Sequence, residues 1–273
     1  MKLTEKQLVI LEAVAWFKYL TTKQLQMIFF DKSRSAINSA LRDLKACKYS
    51  LIKSLEFGVN PGRWRYAAIH HLTESGKRLL VEELGYKEKS VLCPTRSNTF
   101  FQRDYYHRIA TINFNIRFQQ WVWMHGYQLG FFYCYFTKAK RGDNFRSLTA
   151  LPLANSWIEP DGIGLYINNG IRKLFLFEMH NGNDAKRAIK QIEKHYQAMV
   201  MGLYSIKYQA STVARVVYIF EKQACMEKVM GQFMSTPKLQ KLKKYFLFNH
   251  IDNLECSFPI YWKSPNGDRV RFT

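Results

Sequence analysis

The sequence has no Cys-x-x-Cys pair. Its five cysteines, Cys47, Cys93, Cys134, Cys225 and Cys256, are scattered. That spacing argues against a zinc knuckle and reads as free thiols in a reducing, cytoplasmic setting. Acid is scarce: 21 Asp+Glu stand against 41 Lys+Arg in 273 residues, a formal net charge of +20. Such an excess favours a polyanionic partner, because each phosphate contact releases a counterion. Nucleic acid comes first among these and an anionic membrane surface second; the bland alternative is a generally basic source proteome. No long apolar run is present. Residues 121–136 come nearest, but His125, Gly126 and Gln128 interrupt them, and the stretch is too short to span a bilayer. The first residues, MKLTEKQLVILEAVAWF, carry Glu5 and Glu12 and lack a signal-peptide pattern. There is no internal repeat and no low-complexity tract.

What remains is a chain 47% hydrophobic, enough to bury a sizeable core in one large domain or two ordinary ones. The N-terminal third predicts a helix over 4–19 with Thr4 as N-cap and Leu8, Leu11 and Ala15 on one face. Thr21 or Thr22 caps a short second helix, and Ser33 caps a third that runs to about Cys47. The inner face of this third helix is Ile37, Leu41 and Leu44; its outer face carries Arg34, Ser35, Asn38, Arg42 and Lys45. A strand (SLIKSLEF), a Gly/Pro turn (GVNPG) and a returning strand (RWRYAAIHHL) follow, then a helix from Thr73. Three helices and a hairpin in this order, closed by HLTESGKRLL, resemble the winged helix-turn-helix family. The resemblance implies that the third helix enters the major groove, with Arg63, Trp64 and Arg65 on or near the wing. Set against it, polar residues opposite an apolar helix face are commonly just solvated, and winged helices also serve as protein-protein modules.

A polar, aperiodic segment, YKEKSVLCPTRSN, marks a boundary. The division expected is a winged helix over 1–88, a linker over 89–98 and a second domain over 99–273. That domain opens with a helix near Thr99 carrying His107. Strands are expected at about 129–135, 151–157, 162–167 and 174–179, then a helix over 184–201, the strand ARVVYIF, a helix over 236–246 and a hairpin at PNGD. The run RKLFLFEM is apolar on both faces, as in a central strand covered on both sides. Strand, helix, strand in that order favours parallel pairing by a right-handed crossover. The fold class expected is α/β, α+β overall.

The chemistry is concentrated in 158–195. Asp161 precedes GIGLYI; Asn168-Asn169-Gly170 turns the chain; RKLFLFEM then delivers Glu178, with His180 two residues on. Residues two apart on a strand share a face. A hairpin would therefore bring Asp161 beside Glu178 and His180, a cluster able to hold Mg2+ or Mn2+. Lys186, Lys190 and Gln191 follow on the next helix. This pattern resembles the PD-D/ExK nuclease superfamily, the restriction-endonuclease-like fold. Asp161 then matches the first acid and Glu178 the second, while His180 stands where that pattern has lysine. His180 could bind metal or act in proton transfer, Lys186 or Lys190 could reach in, or the site could be inactive. The whole arrangement, from the winged helix through His107, PDG, NGND, Gln191 and Tyr196, resembles the replication-relaxation family and within it the MOBC-type relaxases of plasmid mobilization. There an acid often occupies the position of His180. The commoner relaxases, which use a His-x-His pair, are excluded because this chain has none.

The bland readings are definite. Asp161 after proline is often a turn former. Glu178 could pair with Lys186 or Arg187, His180 could be a surface histidine, and His107 a satisfied core histidine. Only their co-occurrence argues for a site. The resemblance implies metal-dependent nicking of duplex DNA at a plasmid transfer origin, with Asp161, Glu178, His180 and, more weakly, His107 as ligands. A coupling or accessory mobilization protein would be a further partner. The alternatives are a non-catalytic DNA-binding replication or relaxosome accessory factor and an interaction scaffold.

Overall fold

A computed structural model describes residues 3–29, 33–58, 66–94, 104–141, 144–254 and 258–272. The chain divides into two compact units, Met1–Tyr105 and Tyr106–Thr273.

In the first unit, local capping chemistry fixes the helices. Helix α1 (Glu5–Phe17) and helix α2 (Thr22–Ile28) each begin with a capping box, Thr4 with Gln7 and Thr21 with Gln24. Helix α3 (Arg34–Ala46) starts where Ser33 accepts from the Ala36 amide. Such caps are each worth about 1 kcal/mol. Strand β1 (Leu20–Thr21), which the pattern does not announce, joins β2 (Ile52–Leu55) and β3 (Ile69–Leu72) in an antiparallel sheet of order β1-β3-β2. Helix α4 (Glu74–Arg78), capped by Thr73, closes the unit and continues as a π-turn over Leu79–Glu83. Three helices with a small sheet form a winged-helix arrangement. The inner residues of α3, Ile37, Leu41 and Leu44, are buried, whereas Arg34, Ser35, Asn38, Arg42 and Lys45 are exposed. Arg63, Trp64 and Arg65 lie outside the described residues. Part of the segment read as a linker packs onto this unit: Val91 is buried and the Leu92 amide donates to the Ala15 carbonyl.

The second unit has three layers. Helix α5 (Tyr105–Met124) covers one face of a seven-stranded mixed sheet, order β14-β13-β12-β11-β10-β9-β4. Its strands are β4 (Gln128–Cys134), β9 (Gly162–Asn168), β10 (Ile171–His180), β11 (Arg215–Phe220), β12 (Phe246–His250), β13 (Tyr261–Lys263) and β14 (Arg269–Arg271). Two small hairpins, β5–β6 (Lys138–Arg141 with Asn144–Ser147) and β7–β8 (Leu151–Leu153 with Ser156–Ile158), stand apart from that sheet. Helix α6 (Ala185–Val200), α7 (Leu203–Tyr208), α8 (Gln223–Met234) and the short α9 (Pro237–Gln240) complete the chain. The core order is helix, antiparallel β4–β9–β10 meander, crossover helix α6 and parallel β11. It is the mixed-sheet arrangement expected of a restriction-endonuclease-like domain. Among the described residues no helix is long and apolar enough to cross a membrane. The four described cysteines are free; Cys256 lies outside them.

Strand β10 is buried on both faces. Phe175, Phe177 and Met179 pack with Phe114, Phe118 and Trp121 of α5, while Leu174 and Leu176 pack with Ala188 and Ile192 of α6. Phe114 stacks on Phe177 with ring centroids 4.0 Å apart. Gly164 admits the ring of Phe118: a Cβ there would lie 2.8 Å from its Cε1. Asn168 pairs with Ile171, so the β9–β10 turn is Asn169-Gly170, at φ 48° and 77°. These left-handed values define the tight hairpin turn that Asn-Gly favours.

One strand assignment and one helix assignment differ from expectation. Residues 151–157 form the β7–β8 hairpin rather than one strand. The helix expected over 236–246 stops at Gln240, and Phe246–His250 becomes β12, parallel to β11. Phe246 and Phe248 fill one side of it and Leu247 the other. Such a run is apolar on both faces, and a short apolar run does not announce its period.

Candidate functional site

Register places the two acids. Gly162 pairs with Phe177, so Asp161, one residue before β9, falls level with Glu178 on β10. Asp161 does more than turn the chain. Its Oδ2 accepts from the Met179 amide at 2.7 Å, its Oδ1 lies 2.8 Å from His107 Nε2, and its carbonyl accepts from the Tyr135 amide. Helix α5 and strands β4 and β10 thus all fix this one residue. The Asp161 and His107 side chains remain 14% and 19% exposed, which puts them at the open end of the site.

Glu178 occupies an apolar position. Alternation along β10 turns it, like Leu174 and Leu176, toward α6, and it is 1% exposed. The inward stripe of α6 is Ala185, Ala188, Ile192, His195 and Ala198. The two alanines on the first turns leave room for the helix to approach the strand. Gln191 and His195, four residues apart, then reach the carboxylate together. Gln191 Nε2 donates to Oε2 at 2.5 Å, and His195 Nε2 is 2.6 Å from Oε1. His195 Nδ1 is 2.8 Å from the Tyr204 hydroxyl.

The proton positions in this chain follow from burial. Tyr204 is held well above the usual phenol range, first by burial and then by the charge of Glu178, so it keeps its proton and donates to Nδ1. Burial pushes His195 down to about 3, so the ring is neutral and Nε2 carries the hydrogen that Glu178 accepts. Both Glu178 oxygens therefore accept from neutral donors. Its carboxyl is nevertheless pushed well above the ordinary carboxylate range, by burial first and by the charge of Asp161 next; Arg187 opposes this. Neither acid forms an ion pair with lysine or arginine among the described residues. The Tyr218 hydroxyl, close enough to feel the charge of both acids, is buried without a hydrogen-bond partner among the described residues.

The other predicted residues are placed differently. His180 shares the Glu178 face, but its Nε2 lies 3.0 Å from the Asp184 carbonyl and its ring edge meets Phe220. A carbonyl only accepts, so this nitrogen is the donor, and His180 ties the end of β10 to the start of α6. Lys186 and Lys190 are exposed on α6 and bond to neither acid. Among the described residues no group of three or more His, Cys, Asp or Glu side chains is arranged to hold a metal ion. What the fold assembles is a carboxylate pair flanked by His107 on one side and by Gln191, His195 and Tyr204 on the other. Sequence reasoning missed His195 and Tyr204. A polar pair on the inward stripe of the helix after the Glu178 strand was the available signal.

No family model matches the chain. Nor does any curated protein match it. Among solved structures, the chain is similar to the restriction endonuclease FokI, at 13% identity and a TM-score of 0.31, over 91% of this chain and 43% of that one. It is similar also to FokI bound to DNA, at 12% identity and 0.30, over 93% and 45%. The chain spans less than half the length of each.

Proposed function

We propose that the second unit cleaves one strand of DNA with the help of a divalent cation held by Asp161 and Glu178. The observation that carries this reading is the opposed carboxylate pair, buried or nearly so and bonded to neutral donors. Burying such charge unpaired is costly, and a dication between the carboxylates would supply the missing positive charge. The donor set fits a hard cation: Mg2+ takes one or two carboxylates, keeps several waters and completes its shell with substrate phosphate. A group of three protein ligands is therefore not required. When bound, such an ion lowers the pKa of a coordinated water and offsets charge on a phosphoryl oxygen. The chain's own part is to hold the acids. Gln191 and His195 fix the Glu178 oxygens, the Met179 amide and His107 fix those of Asp161, and the Tyr218 hydroxyl is available to a bound water. Duplex binding falls to the exposed α3 face of the winged-helix unit, Arg34, Ser35, Asn38, Arg42 and Lys45. The +20 charge of the chain supports a phosphate-rich partner. The resemblance seen in the sequence makes a plasmid transfer origin the substrate to try first.

The test uses supercoiled plasmid carrying such an origin, with Mg2+ or Mn2+. Wild type should convert it to the relaxed form. D161N and E178Q should each lower the rate by about a hundredfold or more, at least as much as the loss of an outer-shell partner costs, with duplex affinity nearly unchanged. Mn2+ should also raise the unfolding midpoint of wild type and not of E178Q, because a ligand of the native state stabilises it. Nicking that survives both substitutions would place the chemistry elsewhere. A second reading rests on His180. The N–H of this residue, which stands where the superfamily has lysine, is engaged by Asp184, and neither Lys186 nor Lys190 bonds to the acids. Duplex binding with no nicking in any divalent metal would favour that reading, a non-catalytic accessory factor.

A further inference from the structure

An aromatic and cationic notch lies a short distance along the chain from Asp161. Trp157, on β8, is 40% exposed. The Arg146 guanidinium sits over its ring, 3.9 Å from the centroid. Lys194 of α6 donates to the Trp157 carbonyl at 3.1 Å, so the strand is anchored to the helix that carries Gln191 and His195. Lys138, Arg146, Ser147, Trp157 and Glu159 line a cavity of about 130 Å3. Asp161 is four positions after Trp157, at most about 14 Å of extended chain. Strand β5, with Lys138, leaves β4 at the same end of the sheet, where the Tyr135 amide donates to the Asp161 carbonyl.

We propose that the Trp157–Arg146 stack and the notch beside it seat one unpaired base of a DNA strand whose backbone runs on toward Asp161. The proposal rests on reading the second unit as a strand-cleaving domain. An indole already stacked on guanidinium extends readily by one more planar ring, and stacking of this kind tolerates any base. The lining decides between base and phosphate. Glu159 makes the notch unfavourable for a phosphate inside it, and its carboxylate can accept from a base N–H, the N3–H of thymine included. Lys138 and Arg146 attract the phosphates on either side. A base seated here would fix the register of the strand, leaving a neighbouring phosphodiester near the acids.

The experiment uses the full chain without metal. Binding of a short fluorescein-labelled oligothymidylate is followed by anisotropy at fixed salt, beside an abasic strand of equal length. W157A should weaken the oligothymidylate about 5- to 150-fold, the range expected for loss of one base–aromatic stack. W157F should recover most of it, and the abasic strand should bind wild type and W157A alike. W157A within about twofold of wild type would overturn the proposal, as would an equal loss on the abasic strand. Because no cleavage is read, an inactive metal site leaves this test intact, and loss of nicking in D161N does not bear on it.

Discussion

Replacing Tyr204 by phenylalanine removes one oxygen from the chain Tyr204–His195–Glu178 and keeps the ring. Tyr204 is 1% exposed, so no water takes the place of its hydroxyl. The direct loss is one hydrogen bond, worth about 0.5–1.5 kcal/mol, and a buried Nδ1 left without a donor costs about 1–3 kcal/mol. The expected destabilisation is therefore roughly 1–3 kcal/mol, allowing for overlap between the two terms. The larger consequence concerns the imidazole. With no donor at Nδ1, the ring can move its proton there, and Nε2 then presents a lone pair to Glu178 Oε1, 2.6 Å away. The carboxylate loses one of its two neutral donors. Loss of such an outer-shell partner lowers metal affinity or activity by about 10- to 100-fold. Urea unfolding without metal reads the first effect, and Mn2+ titration by calorimetry with nicking rates reads the second. A merely structural Tyr204 would lower stability and leave Mn2+ affinity and nicking unchanged. Unaltered stability and unaltered Mn2+ affinity together would refute the proton assignment.

Other outcomes follow from the same structure. R34A and R42A should each weaken duplex binding and lower the slope of log affinity against log salt by about 1; a slope equal to wild type would mean that α3 does not meet phosphate. His70 is 4% exposed between Ser54 and Thr22, and burial chiefly, then Lys45 and His71, pushes it from 6.5 down to about 4. Its folded value lies below its unfolded one, so its contribution is complete above about pH 6.5 and is lost as pH falls toward 4. A depression of that size is worth roughly 3 kcal/mol, and H70N should flatten the acid limb of an unfolding-versus-pH curve for the N-terminal helices and sheet. G164A should cost about 1–3 kcal/mol by overpacking, since its Cβ would press on Phe118, which is fully buried; a variant as stable as wild type in urea would show that the ring can yield.

Local signals specified local structure. Thr4 and Ser33 cap the helices that the sequence assigned to them, Thr21 rather than Thr22 caps the second, and Thr73 and Asp184, expected only as helix starts, are the caps of theirs, because a cap is a contact between residues three apart and needs no tertiary partner. Asn169-Gly170 specified its hairpin for the same reason, since two left-handed residues admit little else. Through that turn the sequence also determined that Asp161 comes level with Glu178, because pairing register follows from the turn. It could not determine what surrounds them. His195 meets Glu178 only because α6 crosses over and lays its inner stripe on β10, and Tyr204 joins because α7 folds back beneath it. Those contacts depend on helix packing, which periodicity in a single segment does not encode. His180 shows the same limit from the other side. Alternation put it on the Glu178 face, but the position of Asp184 in three dimensions decided where its N–H points. Strand β12, apolar on both sides, became a strand because β11 offered a parallel edge to pair with. The sequence by itself determined the elements, their ends and the meeting of two acids; the tertiary structure decided which neutral groups hold those acids and how far from water they lie.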